Sequence, residues 1–421
     1  MKEVFPVNSM TYRSSMLGAM IGDISGSAHE GARSNIFNPS YQFFTRQSTI
    51  TDDSVLTTAI ADWLLHRETL LLKEALMTWA RRFPHAGYGS GFKHFVKTGE
   101  SYHSDANGAA MRVSPVAEHA TSLEDALSLA KESAAPTHGG GGMKGAQAIA
   151  AAIFIAKDRV AKGNAVDEVK EEMKAFIEKT FGYNLDMTIE EIRHRSKDFA
   201  AKNAEYRRTG VPSQDYVHMS SAELTCPMAI MAVLHSESYE QAVRLAVSMG
   251  GDSDTVAAMA GSIAAQLYGI PDSLVRRALV YLPSEMVDVI NAFEGLGLRP
   301  SKLAPPNCRR WTSRECIVYG AAPVGRRDEE GKTETVPSRF NAHPHRGYGI
   351  DTVGKTLEEI RCSVDGFIQH AKNHPESRFH VRRVGYDKAG YTVQQIAPMF
   401  RRALEMGNVL LPAEMLKELS C

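Results

Sequence analysis

The sequence predicts a mainly α protein: an all-helical domain over residues 1–300, followed by a small α/β domain over 301–421. Three observations lead there. Apolar residues recur at helical spacing through residues 14–300, and strand signals there are weak. Short breaks such as Gly250-Gly251 and Gly269-Ile270-Pro271 separate the periodic runs. After about residue 298 the texture changes. Pro300, Pro305 and Pro306 mark a linker, and strand-like and helix-like segments alternate beyond it.

Within the first domain, Val55–Leu65 carries apolar positions at helical period. Gly145–Ala156 is alanine-rich with little charge, which predicts a helix buried on nearly all sides. Asp167–Lys179 is charged and amphipathic, a solvated helix. Glu223–Leu234, Tyr239–Met249 and Thr255–Tyr268 continue the pattern. In the second domain the expectations are a strand at Glu315–Gly320, a loop over Arg326–Pro344, a helix at Leu357–Lys372 and a strand at Arg378–Gly385. A helix at Val393–Met406 and a strand at Asn408–Leu411 complete it. The strand, the loop ending Ala389-Gly390-Tyr391 and the following helix start could bind an anion. Any βα turn can contain two glycines, however, so a structural or interaction module is the expected role.

Composition excludes several classes. Lys plus Arg is 48 and Asp plus Glu is 49, a net charge of −1, without the basic excess of a nucleic-acid binder. No apolar run approaches the ~20 residues that span a bilayer, and Met1–Met10 lacks the apolar core of a secretory signal. The five cysteines, Cys226, Cys308, Cys316, Cys362 and Cys421, are scattered and form no Cys-x-x-Cys pair. A reduced, cytoplasmic protein is expected. Nothing in the sequence reports its oligomeric state.

The chemistry gathers in acidic clusters. Gly22-Asp23-Ile24-Ser25-Gly26-Ser27-Ala28-His29-Glu30 is one, Thr51-Asp52-Asp53-Ser54 a second and Gly250-Gly251-Asp252-Ser253-Asp254-Thr255 a third. The second and third each stand directly before a helix. Threonine or aspartate there is an ordinary N-cap, but adjacent aspartates repel one another and exceed what capping needs. Carboxylate and hydroxyl oxygens suit Mg²⁺, Mn²⁺ or Ca²⁺. Two such clusters brought together could hold two ions about 3.5–4 Å apart. Neither contains histidine or cysteine, which disfavours zinc.

Five segments, in order, resemble the ADP-ribosylglycohydrolase family across about residues 14–275. They are Met16–Asp23, Thr51–Thr57, Asn107-Gly108-Ala109-Ala110-Met111-Arg112-Val113-Ser114-Pro115, Thr137-His138 with Lys144–Gln147, and Gly250–Thr255. The resemblance implies an all-helical fold and a metal-dependent hydrolase. It would cleave the glycosidic link between ADP-ribose and a protein side chain or small-molecule acceptor. It implies two divalent cations, Mg²⁺ or Mn²⁺, held by Thr51, Asp52, Asp53, Asp252, Asp254 and Thr255. Glu30 and Asp252 become the candidate acid–base residues, with their division of labour open. Asn107, Gly108, Ala109 and Met111 fall in the family's substrate loop. His138 opens a loop near the diphosphate side, where Gly139 and Gly140 would let backbone amides approach phosphate.

Asp23 could instead be structural, closing the turn at Gly22, and Arg112 could pair with a buried carboxylate. Departures from the family fall on the substrate side. Gly139–Gly142 replaces a His-Pro-Glu stretch, Ala106 stands where glycine is usual, and Glu30 precedes Gly31 rather than an aromatic. Two alternatives therefore stay open. One is a non-catalytic protein of the same fold that recognises ADP-ribose or blocks a toxin. The other is a hydrolase of a free ADP-ribose ester or nucleoside derivative.

Overall fold

The computed structural model of the chain describes residues 11–30, 35–213, 217–301, 315–321, 324–327, 333–336, 347–373, 377–386 and 389–419. Of the positions named above, Met1–Met10, Gly31, Pro305, Pro306, Cys308 and Cys421 lie outside the described residues. The chain divides into two compact units, Met1–Arg299 and Pro300–Cys421. No helix among the described residues is long and apolar enough to cross a membrane.

The first unit is helical. Its helices run α1 (Ser15–Gly26), α2 (Asp52–Leu65), α3 (Leu72–Arg82), α4 (Ser90–Thr98), α5 (Ser114–His119), α6 (Leu123–Ala134) and α7 (Gly140–Ala161). They continue as α8 (Val166–Phe181), α9 (Ile189–Thr209), α10 (Ala222–Leu234), α11 (Tyr239–Ser248), α12 (Ser253–Tyr268), α13 (Asp272–Ala278) and α14 (Ser284–Glu294). One 3-10 turn, Asn107–Ala109, precedes α5. Two short strands, β1 (Thr11–Tyr12) and β2 (Ile270–Pro271), pair antiparallel and tie the start of α1 to the end of α12.

Helices α1 and α12 form the centre. Every residue of α1 is buried, as is Ser253–Leu267 of α12. Small residues allow the two backbones to touch. A Cβ added at Gly22 would lie 2.0 Å from the Ala257 carbonyl oxygen, and one at Gly18 would lie 2.5 Å from that of Gly261. No other residue type fits such an approach without moving a helix. The Tyr239 hydroxyl donates to the Gly18 carbonyl at 2.8 Å and anchors α11 to the same seam. The seam sets Asp23, near the end of α1, beside the first turn of α12.

The second unit holds a four-stranded parallel sheet. With β3 (Glu315–Ala321), β4 (Val324–Arg327), β5 (Thr333–Val336), β6 (Gly347–Asp351), β7 (Arg378–Val381) and β8 (Val409–Leu410), its order is β6-β3-β7-β8. Helix α15 (Leu357–Asn373) connects β6 to β7. Its core includes Val318, Ile350, Val364, Phe367, Phe379 and Phe400, all essentially inaccessible.

Several expectations shift. The loop expected over Arg326–Pro344 contains part of an antiparallel ribbon, β4 against β5, paired Val324↔Val336 through Arg327↔Thr333. Its polar, charged sequence hid it, because a two-stranded ribbon needs no buried face to make its ladder. The expected helix Val393–Met406 is α-helical only over α16 (Val393–Ile396) and continues as a 3-10 helix, Ala397–Glu405. Pro398 lacks the N–H that an α ladder requires. The strand expected to reach Gly385 ends at Val381, and Gly385 has φ +79°. Of the glycines after His138, Gly139 is the extended N-cap of α7 and Gly140–Gly142 form its first turn. A long helix not anticipated, α9, opens with a reciprocal cap between Thr188 and Glu191.

Candidate active site

The N-termini of α2 and α12 meet at the end of α1. Thr51 caps α2, its hydroxyl accepting from the Asp53 amide at 3.3 Å. That hydroxyl donates to Asp23 Oδ1 at 2.7 Å, and the Thr51 amide donates to Asp23 Oδ2 at 2.9 Å. The Ser54 amide and hydroxyl also donate to Asp23 Oδ2. Four donors therefore fix Asp23, a buried carboxyl on α1, against the start of α2.

Asp53 Oδ2 accepts from the Thr255 hydroxyl at 3.2 Å. Its other oxygen, Oδ1, is buried with no hydrogen-bond partner among the described residues. A buried carboxylate oxygen without a donor is costly, and a cation removes that cost. At α12, Asp252 is the N-cap residue but makes no side-chain cap bond. Its Oδ2 accepts instead from Asn107 Nδ2 at 2.8 Å. Capping alone thus accounts for Thr51 but not for Asp252.

The carboxylates form two groups. Asp23, Asp53 and Asp254 bring ligand atoms within 4.8 Å of one another, and so do Glu30, Asp252 and Asp254. Asp254 belongs to both. Burial pushes Asp53 and Asp254 well above the usual carboxylate range, with neighbouring carboxylates adding to it. Asp52 rises to about 8 through burial and the charge of Asp23. Asp23 rises to about 6 by burial, against the pull of its donors from Ser54 and Thr51. Crowded buried carboxylates at two helix N-termini suit hard divalent cations.

A cavity of about 1120 Å³ opens from these carboxylates, larger than the ~300–1,000 Å³ of most small-molecule sites. Glu30, Asp52, Asp53, Asp252, Asp254 and Thr255 line its acidic end. Asn107, Gly108, Met111 and His138 line it further along. Thr51 is buried behind Asp23 and Asp53 rather than on the wall. Ala109 is buried in the 3-10 turn. Gly139 and Gly140 do not line the cavity. Asp105 Oδ1 accepts from the Gly141 amide at 2.7 Å and occupies the first turn of α7. A Cβ at Gly142 would lie 2.5 Å from the Ser104 carbonyl oxygen, so this run of glycines serves close packing of the 103–106 segment.

Several lining residues carry no signal in the sequence, Asn35 and Tyr102 among them. Asn35 donates to the Gly251 carbonyl at 3.0 Å and accepts from the Gly251 amide at 2.8 Å, pinning the turn that presents Asp252. Gly250 and Gly251, at φ +77° and +78°, were its only sequence signal. Tyr102 supplies an aromatic wall.

Residues 10–296 match the ADP-ribosylglycohydrolase family model, and the chain belongs to that family. The second unit lies beyond the match. Among its relatives is ADP-ribosylhydrolase ARH3 of Danio rerio, 26% identical over 317 residues, covering 63% of this chain and 85% of the relative. The Mus musculus ADP-ribosylhydrolase ARH3 is 26% identical over 319 residues, covering 62% and 85%. The uncharacterized protein YegU of Escherichia coli is 27% identical over 256 residues, covering 54% and 74%. A chain of an ADP-ribosylglycohydrolase-related protein complex superposes with TM-score 0.45 at 22% identity, covering 68% of this chain and 97% of that one.

Proposed function

We propose that the protein hydrolyses the ribosidic bond of an ADP-ribosylated protein or small-molecule acceptor, using two divalent cations, Mg²⁺ or Mn²⁺. The observation that carries this reading is the pair of carboxylate groups sharing Asp254 at one end of a nucleotide-sized cavity. Asp23, Asp53 and Asp254 would hold one ion; Glu30, Asp252 and Asp254 would hold or border the other. Thr51, Asp52 and Thr255 complete the surroundings. Bound there, the ions supply Lewis acidity and a template for the ribose hydroxyls.

The chain's own residues do the rest. Ribosidic cleavage passes through an oxocarbenium-like state, which the surrounding carboxylates stabilise electrostatically. The bond from the anomeric carbon to the acceptor breaks, the oxygen of water bonds to that carbon, and the acceptor leaves with a proton. Glu30, the exposed carboxylate of its group, is placed to take up or deliver that proton. Asn107 holds Asp252 in one orientation. Gly108, Met111 and His138 shape the substrate side.

The test is a panel of ADP-ribosylated acceptors (arginine, serine, nucleobase and ester-linked) assayed with Mg²⁺ or Mn²⁺. Release of ADP-ribose from at least one, abolished by EDTA, is expected. Tight ADP-ribose binding without release from any would make the chain a binding protein.

A further inference from the structure

We infer that Arg112 and Thr137 are positioning residues that fix His138 as its Nε2–H tautomer, so that the cavity wall presents a neutral N–H donor to an oxygen of the ADP-ribosyl group. This rests on the reading of the cavity above. Arg112 is fully buried, and its Nη2 donates to the Thr137 hydroxyl oxygen at 2.9 Å and to the Ser133 carbonyl at 3.2 Å. A guanidinium has no acceptor, so at Thr137 it can only donate. The Thr137 hydroxyl lies 2.8 Å from His138 Nδ1. Among the described residues it has no other acceptor for its own proton.

A buried hydroxyl keeps its proton engaged, so Thr137 donates to Nδ1. The imidazole proton then sits on Nε2. Had Nδ1 carried it, Thr137 would receive two donors and its own proton would point nowhere. Packing fixes the ring plane as well. A Cβ on Gly142 would lie 2.8 Å from His138 Cδ2, and one on Gly108 would lie 3.2 Å from both Cε1 and Nε2. His138 lines the cavity, and its Nε2 has no protein partner among the described residues. Burial and the neighbouring Arg112 hold its pKa down at about 3, which keeps the ring neutral.

The burial of Arg112 gains a reason from this. Its Nε and Nη1 have no partner among the described residues. A buried guanidinium with two of its three nitrogens unsatisfied is costly, and it contributes little to packing that an apolar side chain would not. As the fixed donor at the head of the relay, it orients Thr137 without itself titrating.

The experiment has two readouts. ¹⁵N NMR of histidine-labelled wild-type protein, with His138 assigned by the His138→Gln spectrum, reports the tautomer without any ligand. The expected spectrum shows a protonated Nε2 and an unprotonated Nδ1. Thr137→Val keeps volume and removes the hydroxyl. It should shift that spectrum and weaken ADP-ribose binding about tenfold, the scale of one hydrogen bond, while kcat changes less than about threefold. Thr137→Ser should restore both. A protonated Nδ1 in wild type, or Thr137→Val with unchanged spectrum and affinity, overturns the relay. If wild-type protein binds no ADP-ribose, the functional reading fails, and the tautomer still decides the relay by itself.

Discussion

Asp254 is the single residue that both carboxylate groups need. Asp254→Asn should lower bound metal to at most one ion per chain and abolish turnover, as metal analysis of the dialysed variant would show. Two ions retained would remove Asp254 from the centre. Glu30→Gln keeps volume but cannot take up a proton at neutral pH. Turnover should fall about 10²–10⁴-fold, with ADP-ribose affinity within severalfold of wild type by calorimetry. The acidic residues also set a pH dependence. Asp23 and Asp52 titrate in the fold at about 6 and about 8, above the ~4 of an unfolded aspartate. Folding therefore takes up protons. That contribution to stability is complete below pH ~4 and is lost as pH rises through the folded values. Metal-free protein should melt lower at pH ~8 than at pH ~5.5, and a divalent cation should raise Tm most at the higher pH. The opposite trend would mean these carboxyls are not held protonated in the metal-free fold.

At the scale of elements, the site depends on how closely α1 and α12 approach. Gly22→Ala forces a Cβ into the Ala257 carbonyl. It should cost about 1–3 kcal/mol in denaturant unfolding, as overpacking does, and weaken metal binding by parting Asp23 from Asp254. Gly366→Ala on α15, where a Cβ meets open space, should be neutral or stabilise by up to about 1 kcal/mol. The helices α2 and α12 were legible because their starts carry local signals, Thr51 and the Gly250-Gly251 turn. The role of Asp23 was not legible, because its donors Thr51 and Ser54 sit on another helix, about thirty residues away. α9 was missed because its charged sequence hides a weak apolar stripe, although Thr188 and Glu191 spelled a capping box. The 3-10 continuation after α16 was not legible from periodicity, although Pro398, which lacks the N–H of an α ladder, lies within it.

At the scale of the whole molecule, every carboxylate of the centre lies in the first unit, and the family match ends at residue 296. A chain ending at Arg299 should fold with a single melting transition, bind metal, and retain hydrolysis within about threefold on a minimal substrate. Soluble, metal-loaded protein with no activity would make the second unit part of the site. The all-helical class and the acidic clusters could be read from the sequence because both are local patterns. The sharing of Asp254 by two carboxylate groups and the contact of Arg112 with Thr137 could not, because each joins residues that are distant in the chain. Whether the proposed centre is binuclear is decided by Mn²⁺ titration followed by electron paramagnetic resonance. Two Mn²⁺ per chain with a spin-coupled spectrum, reduced to one uncoupled ion in Asp254→Asn, is the predicted result. A single, uncoupled Mn²⁺ in the wild-type protein at saturation would contradict it.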